Sequence, residues 1–280
     1  MKQTIRKAFK FRLQPNSDQS QKMVEFAGAN RFVWNKALAL NLSRLENKQP
    51  MLWYNELAFW LGLWKQSDEY GFLKTVHSQP LQQTLKNLER AFKEAFDKTQ
   101  PLKRIPRFKK KGLSDSFRYP QGFKLEQKTN QVFLPKIGWV KYRNSRQVIG
   151  DVKNMTISRK SSYWYVSIQT EYEADIKRHN ATSMVGIDMG ITRFATLSDG
   201  SYVAPLNSFR KLSKKLTFEQ RKLSKKVRFS ANWKKQKQKI TRLHERIANA
   251  RLDFLHKTST NISKNHAIIV VEDFKSKKHV

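Results

Sequence analysis

An uninterrupted apolar run near the end of the sequence restricts the folds open to this chain. Residues 267–271 read Ala-Ile-Ile-Val-Val, which is typical of a central strand buried on both faces. A helical pattern occupies residues 207–265 directly before this run, and an apolar strand with a following hairpin occupies residues 184–204. The sequence therefore predicts three strands, a helical segment and a further strand, in that order.

Both apolar strands of this region end in a carboxylate, Asp188 in the first and Glu272 in the second. A helical crossover allows the two strands to be parallel neighbours, so both carboxylates would emerge at the same end of the sheet. Oxygen ligands of this kind suit Mg²⁺ or Mn²⁺, and such ions assist phosphodiester hydrolysis. The alternative is that Asp188 is a turn residue and Glu272 a cap or surface carboxylate. Asp188 and Glu272 are our candidate metal-binding and catalytic residues.

Two other acids lie close to these candidates in sequence. Asp199 precedes Gly200 and is explained by the turn of the predicted hairpin. Asp273 follows Glu272 and would point to the opposite side of a continuing strand. Neither is a strong candidate for catalysis.

The first 180 residues combine strand and helix patterns. Apolar residues recur at every second position over residues 2–13, which predicts a strand, and residues 16–98 contain three apolar helical blocks. From Ser116 to about Tyr172 the sequence changes to short strands separated by turn residues. This spacing suggests a small barrel that the first strand completes, with the helical bundle inserted between barrel strands.

The charge of the chain points to a polyanionic partner. There are 56 Lys and Arg against 22 Asp and Glu, a net charge of +34. Because these charges are spread along the whole length, nucleic acid is favoured over an anionic membrane, which a single basic amphipathic helix would serve. No apolar run is long enough for a membrane span, so we expect a cytoplasmic protein. The absence of cysteine excludes disulfides and thiolate zinc sites within these residues.

Two segments concentrate this charge. Residues 206–251 hold 16 Lys and Arg and 2 acids, and their apolar residues recur as in amphipathic helices with basic outer faces. In residues 104–111, Phe108 lies among five basic residues, where it could stack on a base or anchor its own loop. A solvated charged face is the alternative for either segment. The candidate nucleic-acid-binding residues are Arg104, Arg107, Phe108, Lys109, Lys110, Lys111, Lys214, Lys215, Arg221, Lys225, Lys226, Lys234, Lys235, Arg242 and Arg246.

Several motifs, in order along nearly the whole chain, resemble the transposon-encoded TnpB (OrfB) family. The segments that carry the resemblance are residues 11–13, 31–35, 106–112, 116–119, 185–191, 194–200, 246–249, 253–257 and 270–274. The resemblance implies an RNA-guided DNA endonuclease of insertion sequences, with a guide RNA from the transposon end and target DNA as partners. It also implies that Asp188 is the first catalytic acid, that Glu272 is the second, and that Mg²⁺ or Mn²⁺ is the cofactor.

The same resemblance implies an α+β multidomain fold. A wedge-type β-barrel would comprise residues 1–15 and 113–180, interrupted by a helical recognition lobe at residues 16–112. A RuvC-like nuclease domain of the ribonuclease H fold would occupy residues 181–280. Family members continue after the second acid with a four-cysteine zinc ribbon and a third catalytic aspartate, whereas this sequence stops eight residues after Glu272. We therefore expect an incomplete nuclease domain, and the sequence leaves open an interrupted nuclease, a non-cleaving nucleic-acid-binding regulator or a transposon remnant.

Overall fold

The computed structural model describes residues 2–112, 115–175 and 180–272. The chain divides into two compact units, Met1–Asp175 and Ile176–Val280. The first unit packs helices against a seven-stranded antiparallel sheet, and the second packs helices against a four-stranded mixed sheet. The protein is thus a mixed α and β structure with a large antiparallel sheet.

The elements of the first unit follow the predicted order of strand, helices and strands. They are β1 (Lys2–Gln14), α1 (Ser17–Glu46), α2 (Tyr54–Gln66), a 3₁₀ helix (Asp68–Lys74), α3 (Ser78–Phe96), β2 (Ser116–Tyr119), β3 (Lys124–Glu126), β4 (Gln131–Leu134), β5 (Gly138–Tyr142), β6 (Asp151–Lys160) and β7 (Tyr163–Asp175).

Local chemistry explains where α1 begins. The Asn16 side chain accepts a hydrogen bond from the backbone N–H of Gln19 at 2.8 Å, and the Gln19 side chain accepts one from the Asn16 backbone N–H at 3.2 Å. This reciprocal capping box satisfies two N–H groups that a helix start otherwise leaves without partners. The predicted N-cap at this position is confirmed.

β1 holds the large sheet together. The strand order is β2-β6-β7-β1-β5-β4-β3, and β1 pairs with β7 over residues 2–12 before Leu13 and Gln14 pair with β5. Phe9, Phe11 and Leu13 alternate into the core, as the sequence pattern predicts. A strand from the start of the chain thus joins two groups of strands that follow the helices.

The predicted closed barrel is not found among the described residues. The sheet has β2 and β3 at its two ends, and these strands do not pair with each other. Instead, Phe26 of α1 lies against β2, with ring centroids 5.3 Å from Phe117 and 6.4 Å from Tyr119. Helical side chains, and not pairing between the sheet ends, therefore complete the core beside β2. The helices and the sheet share this one core.

The second unit has the predicted order of three strands, a helical segment and a strand. Its elements are β8 (Met184–Asp188), β9 (Ala195–Leu197), β10 (Tyr202–Val203), α4 (Ser208–Ser224), α5 (Ala231–Asn265) and β11 (Ile268–Val271), and its strand order is β10-β9-β8-β11. The helical segment is divided in two by residues 225–230, in which Phe229 has φ of 68°. β8 and β11 are parallel.

The expectation that residues 267–271 form a buried central strand is wrong. β11 lies at the edge of its sheet, and all four of its residues are exposed, Val270 to 54%. Among the described residues only β8 pairs with it. An apolar cleft of about 390 Å³ separates Ile269 and Val271 from α5, so the helix covers this strand incompletely.

The described part of the chain contains no helix that is both long and apolar enough to cross a membrane.

We expect Asn41→Ala to destabilise the first unit by about 2 kcal/mol, because the half-buried N–H and carbonyl of Leu52 would lose their partners. The buried Asn41 amide donates to the Leu52 carbonyl and accepts from the Leu52 N–H, both at 2.9 Å. Urea unfolding followed by tryptophan fluorescence measures the change. The control Asn55→Ala, at an exposed position of α2, should shift stability by less than about 0.5 kcal/mol. Equal losses in the two variants would contradict the prediction.

We also expect the first unit to lose stability as pH falls through about 6.5, the ordinary pKa of histidine. Burial, and then the positive charges of Lys136 and Lys65, lower the pKa of His77. The folded chain therefore binds fewer protons than the unfolded chain at mildly acidic pH, and protonation favours unfolding. His77→Gln should flatten the stability profile between pH 7.5 and 5.5, measured by urea unfolding. Parallel profiles for the variant and the wild type would show that His77 does not cause the loss.

Candidate functional site

The parallel pairing of β8 with β11 brings the two candidate carboxylates to one end of the sheet. The register aligns Val270 with Gly186 and Val271 with Ile187. Asp188 is the last residue of β8, and Glu272 follows β11 directly, so the next position in this register places Glu272 beside Asp188. Neighbouring strands lie about 4.8 Å apart, a separation that two carboxylates can share around one ion.

The two carboxylates lie on the sheet face that α5 does not cover. Val185 and Ile187 pack against Ile262 of α5. Since side chains alternate along a strand, Asp188 belongs to the other face, and the parallel register gives Glu272 the same side. Both residues are exposed. The acids are therefore accessible to solvent.

Asp199 has a structural role, as the sequence indicates. Its Oδ1 accepts from the Ser201 N–H at 2.9 Å and from the Ser201 hydroxyl at 2.6 Å. These hydrogen bonds, that from the hydroxyl above all, lower the pKa of Asp199. The carboxylate closes the hairpin between β9 and β10, in which Gly200 has φ of 86°. Asp273, the other acid considered, lies outside the described residues.

Gly190 is required by the local chain path just after Asp188. A Cβ at this position would meet the Arg193 carbonyl oxygen at 2.9 Å, closer than real Cβ atoms come to other atoms. This packing by itself accounts for glycine here. Any larger residue would displace the turn that directly follows the candidate metal ligand.

Two carboxylates at one sheet end fit the ligand preference of Mg²⁺. This ion commonly binds one or two protein carboxylates and completes its shell with water and substrate phosphate oxygens. Within residues 2–112, 115–175 and 180–272, no group of three or more Asp, Glu, His or Cys side chains gathers at one place. Asp188 and Glu272 would therefore provide the protein ligands of such an ion from this part of the chain.

The helical hairpin of α4 and α5 presents a basic surface. Leu216, Ile240 and Ile247 of the hairpin are buried. Two of its three acids turn inward: Glu245 is buried, and Glu219 accepts a hydrogen bond from the buried Gln236 amide at 2.6 Å. The third, Asp253, is exposed and paired with Lys257 at 2.8 Å. The nine candidate cations of this hairpin remain at the surface. Lys214, Lys215, Arg221, Lys225, Lys234, Lys235, Arg242 and Arg246 are exposed and Lys226 is half-buried.

Exposed aromatic rings that are not among the candidate residues from the sequence lie among these cations. Phe218 is 55% exposed beneath the Lys222 ammonium, which lies 4.2 Å from the ring centroid. At the turn of the hairpin, Phe229 is 64% exposed, and its ring lies 5.5 Å from that of Trp233. Aromatics interleaved with Lys and Arg are the sequence signal that would have indicated stacking surfaces here.

The side chains of Trp34 and Asn35 anchor the basic loop at residues 104–111 to α1, and neither residue is among the candidates from the sequence. The Trp34 indole donates to the Arg107 carbonyl at 3.0 Å, and the Asn35 side chain exchanges two hydrogen bonds with the Lys109 backbone. Phe108 is 53% exposed, so Trp34 and Asn35, and not Phe108, hold the loop. This leaves the Phe108 ring free for a ligand.

Lys109 differs from the other cations of the loop. Its ammonium lies 3.8 Å from the centroid of the Trp34 ring, and burial lowers its pKa. The exposed cations of the loop are Arg104, Arg107, Lys110 and Lys111. Lys109 thus helps to fix the loop, whereas the other four are open to phosphates.

Two family models match this chain. The family described as "Probable transposase" (OrfB_IS605) matches residues 167–279, which include both candidate carboxylates and the basic hairpin. A model described as a helix-turn-helix domain matches residues 1–49. In the structure, residues 2–49 hold the strand β1 and the single 30-residue helix α1, so this segment does not have helix-turn-helix geometry.

Curated relatives match nearly the whole chain. A protein of Escherichia coli K12 named "Putative RNA-guided DNA endonuclease InsQ" is 54% identical over 96% of this chain and 66% of its own length. A Streptomyces pristinaespiralis protein named "Putative RNA-guided DNA endonuclease" is 32% identical over 98% of this chain and 68% of its own length. The chain thus spans about two-thirds of the length of these relatives.

A solved structure shares a distant likeness with this chain. A chain in the cryo-EM structure of a Cas12f1–sgRNA–target DNA complex aligns with 99% of this chain and 82% of its own, at 13% identity and a TM-score of 0.40. The family itself is established by the sequence matches, which include a relative more than 30% identical with over two-thirds of its length covered. This chain belongs to the transposon-encoded OrfB (TnpB) family.

Proposed function

We propose that this chain acts as an RNA-guided DNA endonuclease that binds a guide RNA and cuts target DNA at the strand ends of its second unit. The parallel register of β8 and β11, whose next position would place Glu272 beside Asp188, is the observation that supports cleavage most directly. The names of the curated relatives support the same activity and the same two partners. Because a charged backbone must approach these exposed acids, a divalent cation is needed to offset the repulsion.

Asp188 and Glu272 are the residues that would hold this cation, Mg²⁺ or Mn²⁺. When bound, the ion supplies Lewis-acid polarisation of the phosphate and lowers the pKa of a coordinated water. The two carboxylates would hold the ion from the ends of two adjacent, hydrogen-bonded strands, and the strand pairing would set their spacing. β8 also pairs with β9 on its other side, so Asp188 is held between two strands.

The basic surfaces would bind nucleic acid through its backbone. The hairpin of α4 and α5 and the loop at residues 104–111 both expose cations that can contact phosphates. Such contacts carry no sequence information, which in an RNA-guided protein comes from base pairing between guide and target. A partner of this kind also places the protein in the cytoplasm, where the transposon DNA is.

We propose a domain organisation to match. Residues 1–15 and 113–180 would form the wedge-type domain, residues 16–112 an inserted recognition lobe, and residues 181–280 the RuvC-like domain. The pairing of β1 with β7 and β5, across the intervening helices, supports an insertion. The parallel β8 and β11, joined through α4 and α5, support a ribonuclease H-like arrangement of the second unit.

A second candidate function is target occupancy without cleavage. Both carboxylates are exposed, and exposed ligands hold a cation less firmly than a site shielded from water. The basic surfaces do not depend on that cation. The protein would then act as an RNA- and DNA-binding regulator that blocks its target.

The nuclease proposal predicts Mg²⁺-dependent cutting by the guide-loaded protein. The probe is a DNA duplex that matches the roughly 20-nucleotide guide of an RNA carrying the transposon end. Asp188→Asn and Glu272→Gln should each lower the cleavage rate at least about 100-fold, because metal-assisted charge stabilisation contributes several kcal/mol. Binding of the same DNA should be unchanged or tighter, since each variant removes a negative charge near the phosphates.

Asp199→Asn is the matched control for these variants. It changes an acid of the same sheet that serves the β9–β10 turn, so it should cut at close to the wild-type rate. Cleavage that survives Asp188→Asn would overturn the site assignment. Binding without cleavage by the wild-type protein would instead support target occupancy.

The hairpin assignment predicts a change in the salt dependence of binding. Lys214→Gln with Lys215→Gln should lower the slope of log K against log salt by about 1 to 2 for a structured RNA, since each phosphate contact contributes slightly under one unit. Binding titrations between about 50 and 200 mM salt measure the slope.

The control is Lys98→Gln with Lys128→Gln, which removes the same charge from exposed positions outside both basic segments. Its slope should stay at the wild-type value. If the two double variants behave alike, general charge, and not the hairpin, accounts for binding.

A further inference from the structure

We propose that the outer face of the large sheet is a further nucleic-acid site, at which an unpaired RNA base stacks on the Arg12 guanidinium. This inference rests on the proposed function, because it assigns a place for part of the RNA. The site lies outside both basic segments selected from the sequence. Its central element is the Arg12 guanidinium, whose carbon lies 3.6 Å from the centroid of the Tyr163 ring.

The face is formed by the side chains that alternate away from the core. Phe9, Phe11 and Leu13 are buried on the inner side of β1, whereas Lys10 and Arg12 are exposed on the other. On β7, Trp164, Val166 and Ile168 are likewise buried, and Tyr163 and Tyr165 are half-buried on the outer side. α1 packs against the inner side, through Phe26 and Phe117. α1 therefore does not cover the outer side of the sheet.

On this face, two cations of β1 contact the rings of diagonally placed tyrosines of β7. Arg12 pairs directly with Tyr165 but lies over Tyr163, and Lys10 pairs with Ser167 but lies over Tyr165, with its ammonium 5.1 Å from the ring centroid. Each cation thus crosses to the ring two residues before its direct partner, as diagonal neighbours in a sheet can. The tyrosines hold the cations extended over the sheet, and less side-chain entropy remains to be lost on binding.

The rows of the sheet around this pair carry positive charge without acids. One row joins Arg118 through Thr156 and Ser167 to Lys10, and another joins Ser116 through Ser158 and Tyr165 to Arg12. Lys160 lies opposite Tyr163 in a third row. The nearest acid along β7 on this face, Glu171, is already bound to Arg6 at 3.0 Å. A polyanion is the partner that this charge pattern favours.

Arg118 adds a half-buried cation to this face. Its Nε is shielded from solvent and has no hydrogen-bond partner among the described residues, so a ligand would have to bind its remaining guanidinium N–H groups. A phosphate oxygen is an acceptor suited to a guanidinium. Arg118 and Lys10 belong to the same row, so a backbone that reaches one of them can also reach the other.

An unpaired RNA strand fits these groups better than a duplex. Unpaired bases stack on aromatic rings and on the plane of arginine, whereas in a duplex the base faces are already stacked on each other. A guanidinium supported from beneath by Tyr163 presents its other side outward for one base, while Lys10, Lys160 and Arg118 can contact the adjoining phosphates. The face would therefore select unpaired RNA by stacking and hold it by charge.

The test compares two RNA probes at about 200 mM salt, where non-specific backbone binding is weakened. One probe is a 12-nucleotide oligouridine and the other a fully paired RNA hairpin, each with a fluorescent label. Arg12→Lys keeps the positive charge but removes the planar guanidinium group. Tyr163→Leu removes the ring on which that guanidinium lies. Each should weaken oligouridine binding about tenfold, as expected for one lost stacking contact, and change hairpin binding less than twofold.

Three further variants separate binding from folding. Tyr163→Phe keeps the ring and should retain oligouridine affinity. Arg193→Lys and Tyr202→Leu alter a similar pair on another surface, where the guanidinium lies 4.3 Å from the ring centroid. These two variants should leave oligouridine affinity unchanged. Thermal unfolding by circular dichroism checks that all variants fold. Equal losses for both probes, or for both pairs of residues, would overturn the proposal.

Photocrosslinking gives a readout of position. Oligouridine containing 4-thiouridine should crosslink to peptides that include Arg12 or residues 163–165, and crosslinks confined to other regions would overturn the proposal. Wild-type protein that binds neither probe at low salt would refute the proposed function itself. Wild-type protein that binds both probes, with Arg12→Lys indistinguishable from it, would refute the stacking site alone. A tenfold preference for oligothymidine DNA over oligouridine would refute the assignment to RNA.

Discussion

The parallel pairing of β8 with β11 determines what the second unit can do. Parallel neighbours need a connection that returns the chain to the same end of the sheet, and here α4 and α5 form part of that connection. The pairing ends at Val271 and Ile187, and its next position would bring Glu272 beside Asp188. The returning segment carries 16 Lys and Arg and 2 acids over residues 206–251. The crossover that would bring the two candidate acids together is therefore also the segment that carries the basic surface. Without the crossover, two acids 84 positions apart in sequence would have no reason to meet.

The charge distribution of the hairpin also constrains the stability of the second unit. Residues 206–251 hold 16 cations and 2 acids, and both acids turn away from the solvent-facing surface. Neutralising contacts inside the hairpin are therefore few compared with its cations, and their mutual repulsion opposes the folded form. A bound polyanion relieves this repulsion and releases counterions. Folding of the hairpin and binding of nucleic acid are thereby favoured by the same electrostatic change.

Sequence periodicity indicated where strands and helices occur, but it did not show which neighbours each strand would have in its sheet. The alternation of Phe9, Phe11 and Leu13 identifies β1, and the strand-end position of Asp188 identifies a candidate ligand. The apolar run at residues 267–271 indicates a strand but is misleading about its burial, because burial depends on which strands and helices lie beside it. The barrel prediction failed for a related reason: short strands specify a sheet, whereas closure depends on whether β2 and β3 meet, and α1 packs beside β2 instead.

Contacts between residues distant in sequence were the least predictable part of the candidate sites. Lys109 reads as one more cation in a basic loop, yet its ammonium lies on Trp34, more than 70 positions earlier. Arg12 reads as the polar face of a strand, and its contact with Tyr163 depends on the register between β1 and β7. A one-residue change in that register would turn Arg12 toward the core. Side chains of this kind acquire a functional meaning only through the pairing of strands.

The two kinds of basic surface differ in what they can distinguish. On α4 and α5, most of the cations are exposed lysines and arginines on long flexible side chains, and these would bind phosphates without regard to the state of the bases. On the large sheet, Arg12 is supported by Tyr163, and a planar group held in this way responds to whether a base is free to stack. The proposed function needs both properties, because an RNA-guided nuclease must hold a guide whose unpaired segments remain available for pairing. Affinity can therefore come mainly from the helices, and discrimination between paired and unpaired RNA from the sheet.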